Sequence, residues 1–123
     1  MGKAIIFLVD DHSVLRRAVK LSLEEFGHSV VLEAGALEEA LGKIKKAKKS
    51  GVNLAILDGS LDRRGVTEDG HKIADALRKE IPGIKIISFS AAAGAITWGD
   101  YNFSKYGDFS EIWDLIDALF KKD

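Results

Sequence analysis

Short apolar runs alternate with longer amphipathic segments along this chain. The runs at residues 3–9, 53–58 and 84–90 are mostly apolar and rich in β-branched residues. Runs of this kind are typical of strands that are buried on both faces of a parallel sheet. A similar run at 28–34 predicts a further strand, and the segment 100–104 predicts a fifth.

Amphipathic segments lie between these strands. The first begins at Ser13, a residue type that commonly caps helices, and stops at Gly27. Further helices are predicted over 36–49, 68–83 and 108–122, whereas 91–99 predicts only one irregular turn or a loop. Because strands and helices alternate, we expect an α/β fold with helices on both faces of a parallel sheet. The residues expected to face the sheet are Val14, Leu15, Ala18, Leu21 and Phe26 in the first helix, and Phe109, Ile112, Trp113, Ile116 and Phe120 in the last.

The overall composition narrows the possible functions. The 123 residues suit one domain, here taken as 1–123, and 46% hydrophobic residues can supply its core. The formal net charge of −1 gives no reason to expect nucleic acid or an anionic membrane as the main partner. The absence of Cys excludes disulfides, thiolate zinc sites and a cysteine nucleophile. No membrane span or signal peptide is evident, so we expect a cytoplasmic location.

Polar side chains follow the predicted strands at the point where each strand ends. Asp10 and Asp11 end the first strand, Asp58 the third and Ser90 the fourth, while Lys105 follows the fifth. Ligands of open parallel sheets bind beyond the carboxyl ends of the strands. The sequence therefore predicts that these five side chains converge at one edge of the sheet.

Three carboxylates in one pocket repel each other, and a hard divalent cation relieves that repulsion. Mg²⁺ suits a site with few carboxylates and several waters. With the ammonium of Lys105 and the hydroxyl of Ser90 nearby, the set favours phosphoryl transfer to an Asp nucleophile. A simpler interpretation is that Asp10 and Asp11 only cap the following helix. His12 and His71 are interpreted as ordinary loop and helix residues, since Mg²⁺ prefers oxygen ligands.

Four stretches, "FLVDDHSVLRRAV", "LAILDGSL", "IISFSA" and "FSKY", resemble the landmarks of response-regulator receiver domains. The resemblance covers nearly the whole chain and implies a flavodoxin-like, doubly wound, five-stranded sheet of order 2-1-3-4-5. It implies that Asp58 accepts a phosphoryl group from a histidine kinase or phosphotransfer protein. Asp10, Asp11 and Asp58 would hold Mg²⁺ with the backbone carbonyl of Ser60. Ser90 would bond the phosphoryl oxygen and Lys105 would pair with it.

The sequence departs from the family pattern in four places. Tyr106 stands where the family usually has Pro, and Asn102 where it has a switch aromatic. The loop after Asp58 is longer than usual and brings Arg63 and Arg64 near the site. The segment 91–104 is shorter than the family norm by about two helical turns. We therefore expect that the family's fourth helix, which lies between the fourth and fifth strands, is shortened or missing here.

This short segment also bears on the output. We expect it to be mobile before phosphorylation and to order afterwards. Trp98, with Tyr101 and Phe103, would then form or hide a patch for a downstream protein partner. In that interpretation Trp98 is an exposed contact residue.

Three functions remain in contention. The first is a phosphorylatable receiver that catalyses only its own phosphorylation and dephosphorylation. The second is a pseudo-receiver, which would be a protein-binding module with little phosphotransfer. The third is a phosphatase of the haloacid dehalogenase type. That chemistry needs a second Asp two residues after the nucleophile, and this position holds Ser60.

Overall fold

The computed structural model describes residues 3–58, 68–90, 98–104 and 109–120. These residues contain five strands, which pair in one parallel sheet of order β2-β1-β3-β4-β5. The predicted fold class and strand order are therefore confirmed. The strands are β1 (Ile5–Val9), β2 (Ser29–Ala34), β3 (Leu54–Asp58), β4 (Lys85–Ser90) and β5 (Tyr101–Ser104).

Five helices lie in the described part of the chain. They are α1 (Ser13–Glu25), α2 (Leu37–Gly42), α3 (Ile44–Lys49), α4 (Glu68–Glu80) and α5 (Ser110–Leu119). No helix of these residues is long and apolar enough to cross a membrane.

Two helices differ from the sequence prediction. The single helix predicted over 36–49 is divided at Lys43, where φ is −104° and ψ is 3°. Gly42 is a weak helix former, and Lys43 Nζ donates to the backbone oxygen of Glu33 at 2.7 Å. In α1, Ser13 is the first helical residue instead of the cap, and His12 occupies the N-cap position.

Two apolar clusters cover the two faces of the sheet, because successive side chains of a strand point to opposite faces. Phe7 and Val9 lie on one face of the sheet, which α2, α3 and α4 cover. Ile6 and Leu8 lie on the other face of the sheet, which α1 and α5 cover. Each face therefore has its own core, and β1 and β3 contribute to both.

The orientation of α5 follows the prediction and that of α1 does not. Ile112 and Ile116 of α5 are buried, and Phe109, Trp113 and Phe120 pack against them. In α1, Leu15 packs against the core as predicted, but Val19 and Leu23 are buried instead of Val14 and Leu21, which are 84% and 52% exposed. The buried stripe of α1 is thus rotated by about one residue, or 100°.

The connection between β4 and β5 spans only residues 91–100. Parallel strands usually need a crossover of about a dozen residues or more. The part of this connection from 98 to 100 contains no helix, and 91–97 lies outside the described residues. We expected the helix between β4 and β5 to be shortened or missing, and these bounds are consistent with that expectation.

The last three residues of this connection are bonded to their neighbours. Asp100 accepts a hydrogen bond from Ile86 N at 2.7 Å, and its own N donates to Ile86 O at 2.9 Å. Arg78 of α4 donates to the backbone oxygen of Trp98 at 2.8 Å. These bonds do not test motion, so the predicted mobility of 91–104 remains a prediction.

Candidate functional site

Strand register brings Asp10 and Asp58 together. Val9 of β1 pairs with Leu57 of β3, so Asp10 and Asp58 occupy the next positions of two adjacent strands. Both side chains are buried, and Asp11 is 21% exposed. The prediction that the acids meet at the carboxyl edge of the sheet is confirmed.

The turn after β1 is held by its own polar groups. Asp10 N donates to Ala34 O of β2 at 3.0 Å, which continues the pairing of β1 and β2 by one residue. One oxygen of the Asp10 carboxylate accepts the N–H of His12 at 2.9 Å. Asp10 therefore does stabilise the start of α1, as the simpler interpretation proposed, but this bond uses only its Oδ1.

The cluster contains one residue that the sequence interpretation set aside. Single ligand atoms of Asp10, Asp11, His12 and Asp58 all lie within 4.8 Å of one another. His12 Nδ1 is 3.1 Å from Asp11 Oδ1 and 3.6 Å from Asp10 Oδ1. The sequence signal for His12 is its position directly after the acid pair, which puts it in the same turn as Asp10 and Asp11.

The charge of this cluster favours a bound cation. Two unit charges at 4.8 Å, the upper limit of the separations in this cluster, repel by about 3.5 kcal/mol at an effective dielectric constant of 20. A divalent cation among the oxygens replaces this repulsion with attraction, and oxygen donors are the ligands that Mg²⁺ prefers. The residues present therefore fit a magnesium site, with an imidazole at its exposed side.

The other predicted site residues are only partly described. Ser90 is the last residue of β4, one position beyond Phe89, which pairs with Asp58. The strand end is therefore where the prediction put it, while the Ser90 side chain is outside the description. Ser60 and Lys105 lie outside the described residues, as do Arg63, Arg64 and Tyr106.

Trp98 is partly buried against α4, close to the end of β3. Its indole packs against the core cluster of α4 and stacks on His71, with ring centroids 5.9 Å apart and planes 7° from parallel. A Cβ added to Gly70 would come within 2.7 Å of this indole and 2.8 Å of the Asp58 backbone oxygen. The prediction that Trp98 is exposed is wrong, because the absent side chain of Gly70 opens a place for the ring against α4.

Comparison with protein families identifies the class of this chain. Residues 6–100 match the model of the response regulator receiver domain family. This match covers most of the chain, and the chain belongs to this family. The predicted resemblance is thereby confirmed. A search of curated proteins gave no significant match.

Solved structures show the same fold. The receiver domain of the putative response regulator NarL from Mycobacterium tuberculosis is 24% identical, with a TM-score of 0.76 over 98% of each chain. CheY in the CheX-CheY-BeF3-Mg+2 complex from Borrelia burgdorferi is 17% identical (TM-score 0.77, 97% of this chain and 90% of that one). A Burkholderia pseudomallei response regulator with a phosphorylated aspartic acid, calcium ion and citrate is 19% identical. Its TM-score is 0.73 over 94% of this chain and 69% of that one.

Proposed function

We propose that this chain is a phosphorylatable receiver of a two-component or phosphorelay system. Asp58 accepts a phosphoryl group from a histidine kinase or phosphotransfer protein. The observation that carries this proposal is the meeting of Asp10, Asp11 and Asp58 within 4.8 Å at the carboxyl edge of the sheet. Two similar structures support it, one with BeF3 and Mg and one with a phosphorylated aspartic acid.

The proposed reaction is a displacement at phosphorus. A carboxylate oxygen of Asp58 forms a bond to phosphorus, and the bond from phosphorus to the donor breaks. The donor leaves with that electron pair, and Asp58 becomes an acyl phosphate. Because a carboxylate is already ionised at neutral pH, the site needs no general base, and catalysis consists mostly of positioning and charge neutralisation.

The supporting roles follow the family pattern. The carboxylates of Asp10, Asp11 and Asp58 and the backbone carbonyl of Ser60 would hold Mg²⁺. The bound ion supplies positive charge at the oxygens of the transferring group. Lys105 pairs with the phosphoryl group, and the hydroxyl of Ser90 donates to one of its oxygens. These two residues report the modification to the rest of the domain.

The proposed output is a change in a protein-binding surface. The chain would act on no substrate besides its own Asp58, and it would pass the signal to a downstream protein from a cytoplasmic location. Residues 1–123 would form one receiver domain. CheY of Borrelia burgdorferi, which has the same fold, is seen in complex with CheX. We propose a protein partner for this chain on that analogy.

A phosphorylation assay tests the proposal. The protein is incubated with acetyl phosphate and Mg²⁺, and intact-mass spectrometry follows the addition of one phosphoryl group. The unmodified chain and Asp114→Asn, which changes an exposed carboxylate of α5, should both react. Asp58→Asn and an EDTA-treated sample should not.

The second candidate is the pseudo-receiver. The short β4–β5 connection favours it, because residues 91–100 leave little chain for a helix that could move. Absence of an adduct with acetyl phosphate, with phosphoramidate and with a histidine kinase would favour this candidate over the receiver.

A further inference from the structure

Arg16 of α1 connects the acid cluster to the neighbouring strand β2. Its Nη1 donates to the backbone oxygen of Asp10 at 2.6 Å, and its Nε donates to Glu33 Oε1 at 3.3 Å. Its side chain is only 22% exposed. The guanidinium is planar and holds its donors in a fixed fork, so the two bonds together fix its orientation.

The acceptor of the shorter bond has a special position. The backbone oxygen of Asp10 belongs to the peptide unit that joins Asp10 to Asp11. A peptide unit is planar and leaves only the flanking dihedrals free, so a bond that fixes its orientation restricts ψ of Asp10 and φ of Asp11. The bond from Arg16 therefore acts on the relative orientation of two carboxylates of the cluster.

Glu33 is itself held in place. Lys20 Nζ donates to its second carboxylate oxygen at 3.2 Å, and Lys43 Nζ donates to its backbone oxygen at 2.7 Å. Arg16 is thus bonded on one side to an anchored carboxylate and on the other side to the Asp10 peptide. The guanidinium has little freedom to turn away from either partner.

Gly35 leaves room for this arrangement. A Cβ added there would lie 2.9 Å from Arg16 Nη1 and 3.7 Å from the Asp10 oxygen. The first distance is shorter than a normal contact, so a side chain at position 35 would require the guanidinium to shift. The lack of a side chain at Gly35, directly after β2, therefore leaves space for the hydrogen bond from Arg16 to the Asp10 oxygen.

We propose that Arg16 is a positioning residue for the divalent-cation site, acting through the Asp10–Asp11 peptide. This inference rests on the proposed metal site. Removal of groups that orient metal ligands typically lowers metal affinity by about 10- to 100-fold. We expect Arg16→Gln to weaken Mg²⁺ binding by about 10-fold or more, and to slow phosphorylation at low Mg²⁺ but much less at saturating Mg²⁺.

The test is a titration with MgCl₂, followed by the backbone amide NMR signals of residues 10–12 and 58. Arg17→Gln is the matched control, since Arg17 is the next residue of α1, carries the same charge and is exposed. Arg17→Gln should keep the affinity of the unmodified protein. Arg16→Lys keeps the charge but offers one donor group, so it should fall between the unmodified protein and Arg16→Gln.

Gly35→Ala keeps every charged group and should weaken Mg²⁺ binding by displacing the guanidinium. Thermal melting without metal checks that each variant is folded. A purely structural role would lower the melting temperature and leave the Mg²⁺ affinity of the folded protein unchanged, and that result would overturn the inference. If the unmodified protein itself bound no Mg²⁺, the proposed metal site would fail, and the inference with it.

Discussion

The Trp98 indole fills the space that a side chain at Gly70 would need, next to the backbone of Asp58. A Cβ on Gly70 would lie 2.7 Å from two carbons of the Trp98 indole and 2.8 Å from the Asp58 backbone oxygen. The first turn of α4, the β4–β5 connection and the end of β3 therefore meet at one point. A change at this point should affect both stability and the position of Asp58.

Gly70→Ala tests this packing. Ala is a better helix former than Gly by about 1 kcal/mol, so the change would stabilise an unconstrained helix. Here we expect a net loss of about 1–3 kcal/mol in the free energy of unfolding, because the indole and a backbone oxygen must both move. The measurement is urea unfolding monitored by circular dichroism.

Gly42→Ala is the matched control. Gly42 also lies in a helix, but a Cβ added there has no atom within 4 Å. We expect this variant to be as stable as the unmodified protein or more stable. Equal stability of the Gly70 and Gly42 variants would show that the Gly70 contact is not tight.

Trp98 should report phosphorylation. The chain has two Trp residues, so Trp113→Phe leaves Trp98 as the single indole emitter. The Trp98 Nε1 is buried with no hydrogen-bond partner among the described residues, and any new acceptor or water there would shift its emission. We expect beryllofluoride with Mg²⁺ to change the fluorescence of Trp113→Phe. Ser90→Ala should reduce that change, and an unaltered spectrum would place the switch elsewhere.

Asp11→Asn tests repulsion within the cluster. Removal of one of three like charges should raise the melting temperature in EDTA by a few degrees, which corresponds to about 1 kcal/mol. The same change removes a proposed metal ligand, so added Mg²⁺ should stabilise this variant less than the unmodified protein. The two effects have opposite signs, and differential scanning calorimetry with and without Mg²⁺ separates them. A lower melting temperature in EDTA would contradict the repulsion.

Glu39 gives a prediction for acid conditions. Its carboxylate accepts the Gly35 N–H at 2.8 Å and a bond from Lys43, and these hydrogen bonds lower the pKa of Glu39 below 4.5. A lowered folded pKa contributes stability that is present above the unfolded pKa and is lost as pH falls through the folded value. Because Glu39 is half exposed, we expect Glu39→Gln to cost less than about 1 kcal/mol at pH 7. This cost should shrink below pH 4.5, and a constant difference from pH 7 to pH 3 would contradict it.

The sequence was most informative where burial and strand ends coincide. Strands buried on both faces must be apolar, so the short apolar runs of the sequence are enough to predict β1 and β3. The acids interrupt these runs where the strands end, and the topology of a parallel sheet then brings Asp10 and Asp58 together. Both inferences depend on local pattern plus one general rule of sheet geometry.

The errors arose where contacts distant in sequence decide the outcome. Two sets of apolar residues on α1 could face the sheet, and the set that contains Val19 and Leu23 is the one that is buried. No sequence pattern points to His28, yet its Nδ1 accepts a hydrogen bond from Ala4 N at 3.1 Å and its Nε2 lies 3.0 Å from Asp117 Oδ1. These partners are 24 and 89 residues away. Such pairs leave no periodic signal in the sequence.

We propose that the acid cluster serves the phosphorylation of Asp58. The most direct measurement is reduction of the treated protein with borohydride, which converts an aspartyl phosphate to homoserine, followed by peptide mass spectrometry. After incubation with acetyl phosphate and Mg²⁺, we predict homoserine at position 58 and unchanged residues at 10 and 11. Homoserine at another carboxylate, or at none, would contradict the assignment of Asp58 as the phosphoryl acceptor.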